Sequence, residues 1–257
     1  MARVLILGAG YTGGRVASLL RLSGHTVVTT RRAGGDLPVV LPETGVLRTL
    51  EGKDWRVLWS APSVEGISVL EGMAERVVYL STTGVYGDAH LVDALTPAAP
   101  KTERTRRRLE AESVVLAGPW PACVLRPAAI YGPGRGAHES IRAGRWRVAG
   151  DGSNYTSRIH VDDLAAMAVG AVLGDLLGVW PVADEEPCTN AEITRYCCEL
   201  MGMEMPPNAP ADVLDESRRA DRRVDGSEAA RRLGVKLRYP SYRVGIPAIL
   251  EETHGRI

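Results

Sequence analysis

Three glycines near the N-terminus and a run of hydroxyls further along have the types and spacing to do chemistry. Gly8, Gly10 and Gly13 stand in G-x-G-x-x-G spacing, with Tyr11 and Thr12 inside the motif and Gly14 directly after it. A dinucleotide pyrophosphate needs a tight turn, a backbone without a Cβ in the way, and a helix N-terminus that points free N–H groups at the anion. Gly8 supplies the turn, Gly10 the close approach, and Gly13 or Gly14 the close packing of helix on strand. A tight βα turn with no ligand uses the same glycines, so the surrounding elements must decide. The second group is Ser81-Thr82-Thr83-Gly84-Val85-Tyr86-Gly87, hydroxyls clustered behind an apolar run. They can orient a substrate oxygen, and Tyr86 can carry a proton.

The elements that place these residues alternate. Val4 to Leu7 is a short buried-strand pattern, and Val16, Leu19, Leu20 and Leu22 recur at helical intervals behind the glycines. That strand–glycine–helix context strengthens the motif. His25 to Thr30 predicts a second strand, Leu37 to Leu41 a short third and Trp55 to Ser60 a fourth, closing on Ser60-Ala61-Pro62. Gly66 to Glu75 predicts a brief helix and Arg76 to Leu80 a buried strand. Alternation of this kind implies an α/β fold, a Rossmann-type doubly wound parallel sheet with ligands at the carboxyl ends of its strands. Ser60, Ala61, Pro62 and Ser81 fall at such ends and are expected against the cofactor. The second strand ends in Arg31-Arg32, where an acidic residue would favour NAD by binding the ribose 2′-hydroxyl. Two guanidiniums there favour a 2′-phosphate and hence NADP, with NAD left open and two solvated surface arginines as the plain alternative.

Composition excludes several classes. The 257 residues are 45% hydrophobic and 24% charged with a formal net charge of zero, which gives no global field for nucleic acid or anionic membrane. No basic and apolar leader precedes the first strand, and the apolar run Leu164 to Gly174 is too short to span a bilayer. Four cysteines without C-x-x-C spacing read as reduced thiols in a cytoplasmic protein. The five histidines stand singly, so no metal site is expected. The arginines between Arg104 and Arg108 alternate with Glu103, Glu110 and Glu112, a solvated or dimer-contact helix face more than a nucleic-acid patch.

Three stretches carry a resemblance. Leu80 to Gly87 resembles the active-site strand of the extended short-chain dehydrogenases/reductases, the NAD(P)-dependent sugar epimerase/dehydratase family. Leu125-Arg126-Pro127-Ala128-Ala129-Ile130-Tyr131-Gly132-Pro133-Gly134 and Arg158-Ile159-His160-Val161-Asp162-Asp163-Leu164-Ala165 resemble two further signatures of that family. The likeness implies a dinucleotide-binding core over residues 1–130 plus about 155–180, and a smaller C-terminal α/β substrate-binding portion over about 131–154 and 181–257. It implies Thr82 as the catalytic hydroxyl and Pro127 near the nicotinamide. Thr83, Tyr86, Arg126, Tyr131 and Arg158 are expected toward a sugar-like or nucleotide-sugar substrate. For Arg158 an interdomain salt bridge is the equal alternative; His160 reads first as structural; Asp162-Asp163 suit an N-cap. The family's helix 101–117 often pairs with its twin, which makes a homodimer an expectation.

One departure stands out. The family places a Tyr and a Lys in Y-x-x-x-K spacing on that helix, and here those places hold Arg104 and Arg108. Arg108 keeps the charge that would hold the nicotinamide ribose. Arg104 cannot be the acid/base, because a guanidinium stays protonated. Tyr86 is one replacement, with packing or substrate contact as its other reading. Two functions follow: an atypical NAD(P)-dependent oxidoreductase or epimerase, or a catalytically silent dinucleotide-binding sensor or scaffold.

Overall fold

The computed structural model describes residues 1–31, 35–39, 43–214 and 216–254. The chain forms β1 (Arg3–Leu7), α1 (Gly13–Leu22), β2 (Thr26–Arg31) and β3 (Leu37–Pro38), then crosses back to β4 (Trp55–Trp59) and β5 (Ala74–Leu80). A short β6 (Leu91–Val92) and α2 (Glu103–Leu116) lead to β7 (Ala122–Pro127), β8 (Ala129–Tyr131), α3 (Ala137–Arg142) and β9 (Val148–Ala149). After β10 (Tyr155–Thr156) and β11 (Arg158–His160), α4 (Val161–Leu173) returns the chain to β12 (Gly178–Val182). Last come β13 (Cys188–Thr189), α5 (Asn190–Met201), β14 (Asn208–Ala209), α6 (Glu216–Arg219), β15 (Arg223–Val224), α7 (Ser227–Leu233) and α8 (Tyr242–His254).

Seven strands make one parallel sheet in the order β12-β7-β5-β4-β1-β2-β3, the doubly wound α/β architecture expected from the alternation. The winding reverses between β1 and β4. At such a switch point the strand ends diverge and leave a crevice. Val4 to Leu7 are at most 1% exposed because helices cover both faces. One face packs on α1, α4 and α7; the other, rich in Trp55, Trp59, Tyr79 and Trp120, packs on α2. A smaller core of Tyr131, Trp146, Ile193, Tyr242 and Ile246 joins α3, α5 and α8.

Three local expectations change. The helix expected over Gly66 to Glu75 is only a 3-10 turn at Ile67–Leu70, and β5 begins already at Ala74. Gly66 (φ +80) and Gly72 (φ +75) sit in left-handed conformations on either side of that turn and stop propagation. The strand expected to reach Leu41 is described only at Leu37–Pro38, and its last two residues lie outside the described residues. Neither Asp162 nor Asp163 is the N-cap of α4: the His160 ring is, its Nδ1 accepting from the Asp162 N–H at 3.2 Å. Asp162 and Asp163 fill the first turn, where carboxylates favour the helix dipole.

Candidate functional site

The glycine turn lies at the switch point. The Gly8 N–H donates to Thr30 Oγ1 at 3.2 Å and the Ala9 N–H to the Thr30 carbonyl at 2.9 Å, which seats the turn over β2. A Cβ on Gly8 (φ +92) would meet the Ala61 amide nitrogen at 3.1 Å, so the loop after β4 closes one wall. A Cβ on Gly13 would lie 2.5 Å from the Gly8 carbonyl oxygen, so α1 starts there only because the side chain is absent. Gly10 is different: a Cβ there meets nothing within 4 Å. No side chain caps the N-terminus of α1, and its first turn carries no acid. A helix N-terminus behind an empty glycine face is the cradle an anionic pyrophosphate fits.

Tyr11 and Arg15 tie this turn to the opposite loop. Tyr11 donates to the Pro133 carbonyl at 3.0 Å, and Arg15 stacks on its ring at 4.3 Å while pairing with Asp162 at 3.0 Å. Thr12 is buried in the turn. At the end of β2, Arg31 is exposed; Arg32 lies outside the described residues. Asp36, the nearest carboxylate, is turned back: it accepts from the Thr29 N–H at 2.7 Å, the Thr29 hydroxyl at 2.8 Å and Arg21 at 2.6 Å. Burial works against its charge, yet the Thr29 and Arg21 hydrogen bonds hold its carboxyl below the usual range.

A cleft of about 790 Å³ opens beside the end of β5. Its walls include Ser81, Thr82, Thr83, Pro127, Arg104 and Arg108, so the structure brings together most of the residues expected around the chemistry. Thr82 Oγ1 accepts from the Gly84 N–H at 3.1 Å, which leaves its O–H to donate. Thr83 is 8% exposed and Pro127 buried. Arg108 donates to the Tyr79 hydroxyl at 2.9 Å and the Leu80 carbonyl at 3.3 Å, while Tyr79 donates to the Pro62 carbonyl at 3.0 Å. This chain links the loop after β4, strand β5 and helix α2. Burial raises the Tyr79 hydroxyl pKa, partly offset by the Arg108 charge.

Four residues expected at the substrate sit elsewhere. Tyr86 is 2% exposed and Arg126 is 6% exposed, and neither lines the cleft. Arg126 grips Glu112 at 2.6 and 3.1 Å and stacks on the Tyr86 ring at 4.8 Å, and the Ser81 hydroxyl also donates to Glu112. The cause is Glu112, a buried carboxylate on α2 that needs a counter-charge and draws the guanidinium inward. Burial raises the Tyr86 pKa, against the opposing Arg126 interaction. Tyr131 donates to the Ser241 carbonyl at 3.2 Å and anchors α8. Arg158 donates to the Thr156 carbonyl at 2.8 Å and contacts Cys188 Sγ at 3.0 Å, so it neither reaches the cleft nor forms a salt bridge within 4 Å among the described residues. His160 is structural, as read: it packs between Tyr131 and Tyr239 and burial lowers its pKa to about 4.

Other wall residues had no sequence signal strong enough to single them out. Lys101, Arg135, Arg219 and Arg222 line the cleft with Tyr155 and Thr156. Arg135 directly follows the Gly132-Pro133-Gly134 signature and lies over the Tyr11 ring at 5.5 Å, a position that spacing could have flagged. Arg104 and Arg108 add two further guanidiniums to these walls, which also carry Asp88 and Asp221. Among the described residues no group of three or more His, Cys, Asp and Glu could hold a metal ion, and no helix is long and apolar enough to cross a membrane.

Residues 66–174, from the loop before β5 through α4, match the profile of the NAD dependent epimerase/dehydratase family. The chain is 27% identical over 237 residues to a 3-diazoavenalumate denitrifying reductase from a Streptomyces species, which covers 86% of this chain and 77% of the relative. A conserved protein of unknown function from Silicibacter pomeroyi superposes with a TM-score of 0.80 at 29% identity over 98% of this chain and 99% of its own. MoeE5, solved in complex with UDP-glucose and NAD, superposes with a TM-score of 0.83 at 22% identity over 99% of both chains, a likeness of fold. The epimerase/dehydratase resemblance read from the strand-end motifs thus holds, and with it the fold.

Proposed function

We propose that this protein is a nicotinamide-dinucleotide oxidoreductase that prefers NADP and transfers hydride to or from a small anionic substrate held beside Thr82. The observation that carries this reading is the empty face at Gly10, backed by the uncapped N-terminus of α1. Gly8, Gly10 and Gly13 would hold the pyrophosphate, Arg31 with Arg32 the 2′-phosphate, and Arg108 the nicotinamide ribose. The bound nicotinamide supplies the hydride. Thr82 donates a hydrogen bond to the substrate, and the apolar wall at Pro127 and Ile130 limits water. The turned-back Asp36 supports NADP, since no carboxylate is offered to a free ribose hydroxyl; tighter binding of NADPH than of NADH tests that choice.

The proton inventory narrows the reaction. Alcohol–ketone interconversion moves a proton with each hydride, and the tyrosine that would carry it is replaced by Arg104. An acceptor that needs no proton suits this site. Replacement of a diazonium group by hydride is one such case: a C–H bond forms, the C–N pair leaves with N₂, and the dihydronicotinamide is oxidised. The Streptomyces relative's name describes denitrification of a diazo compound, which supports this class over sugar epimerisation. The same exchange favours a second reading, a dinucleotide-binding sensor without turnover. The discriminating assay follows NADPH absorbance and products over diazo, carbonyl and nucleotide-sugar compounds. Turnover that falls at least about tenfold in Thr82→Ala supports the enzyme; tight cofactor binding with no product from any compound supports the sensor. The outer face of α2, with Val114 and Leu116 exposed beside the arginine run, suits a homodimer, and the four buried, unpaired cysteines suit a reducing compartment such as the cytoplasm.

A further inference from the structure

A buried tyrosine grips the arginine that stands where the resembling family has its lysine. We infer that Tyr79 is a positioning residue, whose fixed hydroxyl sets the Arg108 guanidinium for the nicotinamide ribose. The inference deepens the oxidoreductase reading and rests on it for the contact between Arg108 and that ribose.

Tyr79 is wholly buried on β5, opposite Trp59 on β4. Burial raises its pKa, so the phenol keeps its proton, and the hydroxyl donates it to the Pro62 carbonyl at 3.0 Å. The loop that carries Pro62 is anchored a second time, because the Trp59 indole N–H donates to the Ser63 carbonyl at 2.7 Å. A Cβ on Gly8 would meet the Ala61 nitrogen at 3.1 Å, so this loop is also a wall of the glycine turn. With its hydrogen fixed, the phenol oxygen is left as an acceptor. Arg108 Nη1 meets it at 2.9 Å and reaches the Leu80 carbonyl at 3.3 Å. Both bonds use Nη1, so they orient the Nε and Nη2 groups of the same rigid fork without consuming them. The arginine so held lines the cleft with Thr82. A loose arginine must give up several rotatable bonds to meet a ribose, whereas one ordered beforehand does not, and binding gains by the difference. One buried oxygen atom thus ties the cradle wall to the cleft.

The test is a double-mutant cycle on the intact protein, reading the Kd of NADPH and of adenosine 2′,5′-bisphosphate, which lacks the nicotinamide ribose. Tyr79→Phe is expected to weaken NADPH roughly tenfold and Arg108→Gln at least as much, with the bisphosphate unchanged in both. The double variant should bind NADPH within about twofold of Arg108→Gln, because a tyrosine that acts through the guanidinium then has nothing to position. A thermal melt of each variant accompanies the titrations. A merely structural tyrosine would weaken both ligands alike in Tyr79→Phe, and that result overturns the inference. Losses that add in the double variant would assign the effect to the Pro62 loop and overturn it too, as would a Tyr79→Phe protein that binds NADPH like wild type. Arg108→Gln with wild-type affinity would remove the ribose contact and the inference with it. Wild type that binds no NADPH would instead strike the oxidoreductase reading itself.

Discussion

Glu112 shows how a single buried charge sets what its neighbours can do. It is 1% exposed, accepts from Arg126 through both oxygens and takes the Ser81 hydroxyl as well. Arg126 is thereby withdrawn from the cleft, and Tyr86 follows it because the guanidinium lies on its ring. Removing one partner of such a pair leaves the other buried without compensation, which costs about 3–5 kcal/mol. Glu112→Gln should therefore lose stability of that order in urea denaturation, and a loss under about 1 kcal/mol would show that the pair is solvated. Sequence reasoning named Ser81, Tyr86 and Arg126 but assigned them to ligands. A residue type on a strand end does not reveal which way the side chain turns, and the acid that turns these three lies on a helix 31 positions from Ser81 and 14 from Arg126, reached only through the fold.

At the scale of elements, strand ends and helix ends satisfy one another. The last carbonyls of α4 have no partner within the helix. Arg56 from β4 donates to the carbonyls of Val172 at 3.0 Å and Leu173 at 2.6 Å, and Arg76 from β5 donates to Ala171 at 2.8 Å and to Leu176. Two guanidiniums thus meet the negative end of the helix dipole under the sheet. Arg76 is 4% exposed, so Arg76→Met should leave buried carbonyls unpaired at about 1–3 kcal/mol each and lower Tm by several degrees. An unchanged Tm would mean that water takes the arginine's place. At the other end of the same sheet the strands stop where the site begins. The alternation of strands and helices and the glycine turn were legible because hydrophobic periodicity and motif spacing are local properties of the chain, while Thr82, Arg104 and Arg108 were singled out through the family resemblance. The fate of Arg158 was not legible: its burial beside Cys188 depends on β11 pairing with β8 and on the C-terminal segment closing over it.

Across the whole molecule, the C-terminal third is fastened to the sheet portion by buried polar groups. Asp163 on α4 accepts from the N–H groups of Arg238 at 2.8 Å and Tyr239 at 2.9 Å, and Tyr131 reaches Ser241. Asp184 is 2% exposed, and burial raises its carboxyl to about 8 despite the nearby Arg158 charge. Its native form therefore binds a proton that the unfolded chain releases near pH 4, so its contribution to stability is full below that and shrinks as pH rises toward about 8. Asp184→Asn should flatten this fall: the variant gains on wild type in melting temperature as pH is raised from about 5 to about 8, and parallel curves would contradict the assignment.

The central claim is that the glycine turn holds a dinucleotide, and one substitution tests it without disturbing the fold. A methyl group at Gly10 meets no protein atom within 4 Å, and Gly10 is not among the glycines with positive φ. Gly10→Ala should therefore melt within about 2 °C of wild type. The same methyl would stand between the backbone and the pyrophosphate and cost about 1–3 kcal/mol of binding, roughly tenfold to a hundredfold in Kd. The measurement is NADPH affinity by fluorescence titration of wild type and Gly10→Ala, each checked by a melt. Loss of affinity in a fully folded variant is the result expected. A folded Gly10→Ala that binds NADPH as wild type does would contradict the account, since the cradle would then be only a turn.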